Sequence, residues 1–365
     1  MKEELEKLCT AFIANRDTVQ KAFRWDDSNM AAVCANIFCA CGKTADEERL
    51  KECRKIVEAQ TGHFSKFRKK TRSILCCMLA LEDHPEERME RALASYGMLK
   101  KEFRDTEFLA LAALLLTEPG EDTLIAEKVT RGKEIFRRMD REHPFLTDNL
   151  DSVFAVTLAF SEKSDDELIQ DLEACYKALK AEFSSSGDAQ TAAQILAMSA
   201  DAPETKAQRV IDLYNALTEA EVKYGHAKEL APLAALSLAD ATPAALAEEI
   251  REAYEFLGNQ KGYGDKDKEQ RAMHAVMIVS DRYPVTGRVN SSVMATTLDV
   301  LIAKQRSMYL SLAYNVVQAA AKFLLESKEQ PEAAETAETA ESAEPAENGS
   351  GEEAAVQEPQ EKQEK

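Results

Sequence analysis

The chain repeats itself with a period near 40 residues, and that period restricts its possible folds more than any motif does. A bulky residue followed three positions later by another recurs as Tyr96 with Leu99, Phe136 with Met139, Tyr176 with Leu179, Tyr214 with Leu217 and Tyr254 with Leu257. Val57 is a weaker, earlier copy, and the steps from Val57 to Tyr254 are 39, 40, 40, 38 and 40 residues. An aromatic follows each landmark by seven to ten residues: Phe64, Phe103, Phe145, Phe183, Tyr224 and Tyr263. Eleven residues ahead of the first landmark stand Pro85, Pro203 and Pro243, with Asp46 and Asp165 in the corresponding slots. Proline suits a first helical turn because the N–H it lacks would be unpaired there. Thr242 and Ser164 are natural N-caps, and Glu167 completes a capping box with Ser164.

Each unit therefore reads as a short apolar helix, a turn, a capped amphipathic helix, and a loop begun by the aromatic. The apolar helices are expected at Ile74 to Leu81, Leu109 to Leu116, Val153 to Phe160, Ala192 to Met198 and Leu233 to Leu238. In the amphipathic ones, Leu168, Leu172, Cys175, Tyr176 and Leu179 fall at helical spacing. One such hairpin cannot bury its own apolar faces, so stability must come from stacking neighbours. The expected fold class is all-α: a right-handed stack of about six antiparallel helical hairpins, an α-solenoid of HEAT or armadillo type rather than a 34-residue tetratricopeptide array. Glycine at 13 and proline at 10 are each about half their usual share, which argues against a turn-rich sheet protein.

The same reading sets boundaries. Residues 1–43 form an N-terminal helical cap, with helices from Glu3 to Phe23 and Met30 to Cys41 and a break at Trp25 to Ser28; residues 44–284 carry the repeats. Residues 285–327 form a long C-terminal helix, and 328–365 a disordered tail of Glu, Ala, Pro and Gln. Within the long helix, Ser307 to Ala321 carries no charge. Its fifteen residues fall short of the roughly 20 that cross a bilayer. Its small residues suit close packing, so docking on the array or homo-oligomerisation through residues 289–327 is expected. Attachment of 307–321 to a membrane surface is the weaker alternative, because a strongly basic polar face is lacking.

The formal net charge is −19, of which the tail holds 12 glutamates and 3 lysines. An acidic chain repels phosphates, so no nucleic-acid partner is expected, although local basic patches remain open. The start, Met1 to Glu6, shows no secretory pattern, and seven of the eight cysteines crowd into the first 77 residues. Reduced thiols in the cytoplasm are the expectation.

Motifs for chemistry are sparse. No phosphate loop, dinucleotide fingerprint, nucleophile elbow or zinc-protease helix is present, so no cofactor is expected and an enzyme is disfavoured. Cys34, Cys39, Cys41 and Cys53 with His63 lack metal-site spacing and read as core. The densest positive charge is Lys66, Arg68, Lys69, Lys70 and Arg72, suited to a phosphate or an acidic partner but equally to a solvated turn. The loop His143 to Asp148 places an imidazole and a carboxylate together. Yet His143 near a helix C-terminus, Phe145 as the repeat aromatic and Thr147 as an N-cap account for it structurally. His143, Thr147, Asp148, Lys66, Arg68 and Arg72 are thus the candidate binding residues, with no catalytic residue and no metal ligand assigned. Lys261 to Lys266, with two glycines beside Tyr263, resembles an anion nest only weakly.

Several separated motifs occur in one order: Phe23-Arg24-Trp25, Gly62 to Arg68, Leu81 to Arg88, His143 to Thr147 and Gly262-Tyr263-Gly264. In these the chain resembles the bacterial family known as domain of unknown function 4003, over about residues 1 to 325. The resemblance implies no activity, and there are no catalytic or binding residues to carry over. The leading expectation is a cytoplasmic helical repeat protein that binds a protein or peptide partner. The alternatives are an enzyme or small-molecule binder using the loops around His143 and Arg68, and a membrane-surface protein held by 307–321.

Overall fold

A computed structural model describes residues 1–24, 28–69, 71–116, 122–147, 151–159, 161, 163–199, 201–225, 230–264 and 268–283. The expected long helix, the uncharged stretch 307–321, the acidic tail and Asp148 lie outside the described residues. Among those residues the chain is all-helical, and every helix belongs to the unit Met1–Leu325. Seven long helices alternate with seven shorter ones. The long series is α1 (Glu3–Ala22), α3 (Glu47–Gln60), α5 (Pro85–Glu102), α7 (Asp122–Glu142), α9 (Asp165–Glu182), α11 (Pro203–Glu219) and α13 (Pro243–Gly258). The short series is α2 (Ser28–Ala40), α4 (Arg72–Ala80), α6 (Glu107–Leu115), α8 (Asp151–Leu158), α10 (Ser186–Leu196), α12 (Leu230–Leu236) and α14 (Lys268–Ser280).

The local reasons are those visible in the sequence. The Asp46 carboxylate accepts from the Arg49 N–H at 2.7 Å, Ser164 and Glu167 form a reciprocal capping box, and Thr242 accepts from the Ala245 N–H. Pro85, Pro203 and Pro243 sit in first turns. The short helices lie in the core: Ile74 to Leu79, Leu109 to Ala113 and Ala275 to Val279 are almost wholly buried. The long helices bury one stripe each, such as Leu168, Leu172, Cys175 and Leu179 of α9.

Two features depart from the expected unit. Each long helix pairs with the short helix that follows it, as in α5 with α6 and α7 with α8, so the hairpin runs amphipathic to apolar and the aromatic loop lies inside it. By the same token α1 and α2 form a hairpin of the same kind as the others. The second departure is closure. The long helices contact one another in order from α1 to α13, and α13 and α14 pack against α1 and α2, so the row has no open ends. The loops inside the hairpins gather at one end of this ring and the connections between hairpins at the other.

Neighbouring hairpins are joined by two devices. At the loop end, the ring that ends one hairpin's long helix meets the landmark aromatic of the next edge-on: Phe103 with Phe136 at 6.0 Å and Phe183 with Tyr214 at 5.4 Å. Phe67 with Tyr96 at 5.1 Å and His143 with Tyr176 at 4.6 Å occupy the same place. The expected closing aromatics Phe64 and Phe145 do not: they are 90% and 99% exposed. At the end of α7, His143 turns over the last helical turn and Phe145, in the turn that follows, is left in solvent; after α3 the joint is filled by Phe67 of the 3-10 turn Lys66–Arg68, and Phe64 ahead of it is left outside. At the connection end, cations cap the carbonyls that end the short helices. Arg49 donates to Glu82 O, and Arg131 to Ala159 O and Ser161 O as well as to Asp165. Lys163 and the fully buried Lys206 share Asp171 and both donate to Ser199 O.

The seam between first and last hairpins is built differently. The buried Glu249 of α13 receives Lys2 at 2.9 Å, Arg282 at 2.6 Å and the Tyr283 hydroxyl at 3.0 Å. Burial alone would raise this carboxyl; hydrogen bonds from Lys2 and Tyr283, with the Arg282 charge, outweigh it and hold it below its ordinary value. Further along, Phe12 of α1 packs on His274 of α14, with ring centres 5.9 Å apart.

Two substitutions test this packing. Glu249→Ala removes the carboxylate that Lys2, Arg282 and Tyr283 share, leaving Arg282 with Glu4 at 3.3 Å, and should lower the unfolding free energy by about 3 kcal/mol, read from urea denaturation. Gly132 of α7 crosses α8 so closely that a Cβ would lie 2.7 Å from Val156 Cα. Gly132→Ala should therefore destabilise by roughly 1–3 kcal/mol, opposite in sign to its helix-propensity gain of about 1 kcal/mol.

Candidate functional site

Most of the residues singled out in the sequence lie at the loop end, and several are occupied by structural contacts. Arg68 follows Phe67 in the short 3-10 turn Lys66–Arg68, and donates to Glu58 O, Thr61 O and Thr61 Oγ1 at the end of α3. Arg72 opens α4. The Glu58 carboxyl lies below its ordinary value, first through the Arg54 hydrogen bond and then through the charges of Arg54, Arg68 and Arg72. His143 Nε2 lies 2.7 Å from Glu173 Oε1, and Thr147 Oγ1 accepts from Gln190. The His143 and Arg68 groups belong to hairpins separated by α5–α6, and their polar contacts stay local, so the structure does not gather them into one site. His143 has a carboxylate partner, but its ring also fills the aromatic joint to Tyr176.

The cysteines are core residues. Cys9, Cys34, Cys53, Cys76, Cys77 and Cys175 are buried, and burial pushes the thiols of Cys9, Cys53 and Cys175 up to about 12, far from a reactive thiolate. Among the described residues no group of three His, Cys, Asp or Glu is placed to hold a metal ion.

One concave feature was not among the expected sites. At the loop end of the seam a cavity of about 640 Å³ opens between α1, α2 and the loop into α14. Its lining includes Arg16, Asp17, Lys21, Arg24, Lys261 and Tyr263, with His274 from α14. Arg16 is the fixed element: its side chain is 11% exposed, donates to Asp17 Oδ1 at 2.8 Å and to Lys261 O at 3.1 Å, and lies over the Tyr263 ring at 5.2 Å. The Tyr263 hydroxyl is 2.6 Å from His274 Nδ1. Gly262 takes φ +93°, a conformation that L side chains rarely adopt, and so lets the loop turn over Arg16. Burial, and then the nearby Arg16 charge, lower the His274 pKa to about 3, so the imidazole is neutral at ordinary pH. Sequence reasoning noticed Lys261 to Lys266 but had no means of joining it to Arg16 and Arg24, about 240 positions away. The only available signal was the shared presence of Phe23-Arg24-Trp25 and Gly262-Tyr263-Gly264 among the family motifs.

A family model described as protein of unknown function (DUF4003) matches residues 15–307. The chain belongs to this family. No curated protein and no solved structure gives a significant match. Of the motifs that carry the DUF4003 resemblance, four fall at the loops inside hairpins, and two of these, from the first and last hairpins, meet at the seam. Among the described residues of this DUF4003 chain, no helix is long and apolar enough to cross a membrane.

The buried imidazole gives a pH test. A group held at about 3 in the fold but near 6.5 when unfolded binds its proton more readily in the unfolded chain, so its stabilisation is lost as pH falls through that interval. Between pH 6.5 and about 5, above the carboxylate range, stability should fall by up to about 1.4 kcal/mol per pH unit on this account. His274→Gln should flatten that slope, measured by urea denaturation at each pH.

Proposed function

We propose that this DUF4003 member is an interaction protein, a repeat array of helical hairpins working in the cytoplasm, whose loop end engages a protein partner. The observation that carries this reading is the exposure of Phe64 and Phe145 in two loops at the same end of the ring. Both lie near residues that the fold packs into its joints, Phe67 and His143, yet both are left almost wholly exposed. Exposed phenylalanines serve as anchors when a partner covers them, and are otherwise a liability for aggregation. The basic neighbours Lys66 and Lys69 of Phe64 favour a partner segment that mixes apolar side chains with carboxylates at that loop.

The test uses the purified full chain as bait beside a Phe64→Ala/Phe145→Ala variant. Both side chains are exposed, so melting should be unchanged. Truncating each anchor should cost about 2 kcal/mol, roughly 30-fold in Kd. The native chain should thus retain a discrete partner that the double variant loses. Equal retention by both would remove the loop end from any role in binding.

A further inference from the structure

We propose that the seam cavity binds a small phosphorylated molecule. Among the described residues, five charged ones are found in its lining, Arg16, Lys21, Arg24 and Lys261 against Asp17, a net of three positive charges. The whole chain has 65 acidic and 46 basic residues, so a chance sample of five would lean negative. Arg16 is paired with Asp17, and Lys21 and Arg24 also act on the Glu47 carboxylate, which leaves an excess of positive charge around this concave space that a polyanion would complement.

The arrangement also favours phosphate over a lone carboxylate. The exposed Arg24 guanidinium offers a forked donor suited to phosphoryl oxygens, with the Lys21 and Lys261 ammonium groups beside it, while the Nε and Nη2 donors of Arg16 are held by Asp17 and Lys261 O. Arg16 is pre-organised by Asp17, Lys261 O and the Tyr263 ring, so little side-chain entropy is lost when an anion arrives. Arg24, Lys21 and Lys261 are exposed, at positions where they can close on an anion from the mouth. A volume of about 640 Å³ exceeds what a bare phosphate fills and lies within the range of small-molecule sites. The remaining lining suits an organic body: the Tyr263 ring and Ala32 are apolar surfaces, and Gln20 and Gln270 carry amides. A separate observation points the same way. His274 lines this cavity, is 3% exposed, and its Nε2 is a buried polar atom without a hydrogen-bond partner among the described residues. Such an atom is costly unless something else bonds to it, and a hydroxyl of the ligand body is the kind of group that would do so. Because α1 and the loop into α14 both contribute cations, the ligand would tie the first hairpin to the last. This site does not depend on Phe64 or Phe145.

Isothermal titration of the full chain with inorganic pyrophosphate at constant ionic strength, with citrate as a carboxylate of comparable charge, tests the proposal. Pyrophosphate should bind and raise the melting temperature. Arg24→Glu and Lys261→Glu alter exposed residues and should each weaken binding by at least about tenfold, whereas Lys101→Glu, the same charge change on α5, should leave it within about twofold. Absence of pyrophosphate binding overturns the site. Equal weakening by Lys101→Glu reduces it to a general surface-charge effect and also overturns it. Citrate binding as tightly as pyrophosphate overturns the assignment to phosphate.

Discussion

The structure depends on burying seven short helices whose central turns are almost wholly apolar and buried. A row of such hairpins with open ends would leave the flank of the first and last short helices exposed, and linear arrays normally meet this with special terminal repeats. Here the ends cover each other. Leu5, Phe12 and Val19 of α1 are as fully buried as Leu246, Ile250 and Leu257 of α13. Each removes from water an apolar side chain worth roughly 1.5–3 kcal/mol. Closure thus turns a terminal defect into one more joint.

The joints divide the labour of the fold between its two ends. At the connection end, Arg49, Arg131, Lys163 and Lys206 are consumed in capping carbonyls and pairing with Asp165 and Asp171. These cations fix the hairpin spacing and have little capacity left for a ligand. At the loop end the joints are aromatic, and exposed cations remain beside the seam in Lys21, Arg24 and Lys261. That asymmetry is why the exposed phenylalanines and the basic cavity lie at the same end.

Much of this was legible in the sequence because it is local. The helices, their caps and the 40-residue spacing follow from periodicity and from Asp46, Ser164 and Thr242, and the structure reproduces α1 and α2 to within about three residues of the expected ends. The phase of the hairpin was misread because spacing cannot say whether a helix pairs forward or backward; that depends on loop geometry and tertiary burial. Phe64 and Phe145 keep the repeat's aromatic slot without filling the joint for a related reason: the period tolerates a slip of two or three positions, but the packing at the joint does not, and Phe67 and His143 take the place. The cavity could not be read at all. Arg16 and Lys261 become neighbours only when the ring closes, and no local pattern encodes that contact.

Closure over such a separation is cheaper than it looks. The loop entropy grows with the logarithm of length, so joining Lys2 to Glu249, 247 positions apart, costs only about 2 kcal/mol more than joining hairpins one period apart. What the seam needs is therefore selectivity more than strength, since the flank of any hairpin in the row is apolar. A buried carboxylate supplies it. Glu249 is tolerated in the core only where Lys2, Arg282 and Tyr283 converge, and burying it without them costs several kcal/mol. An apolar residue there would stick to any flank; the carboxylate accepts one. With Glu249 fixing the connection end of the seam, α1 is held against α13 and α14 along its length, and the opposite end must present Arg16 to Tyr263 and Lys261. The basic cavity is in that sense a geometric consequence of how the ring is closed.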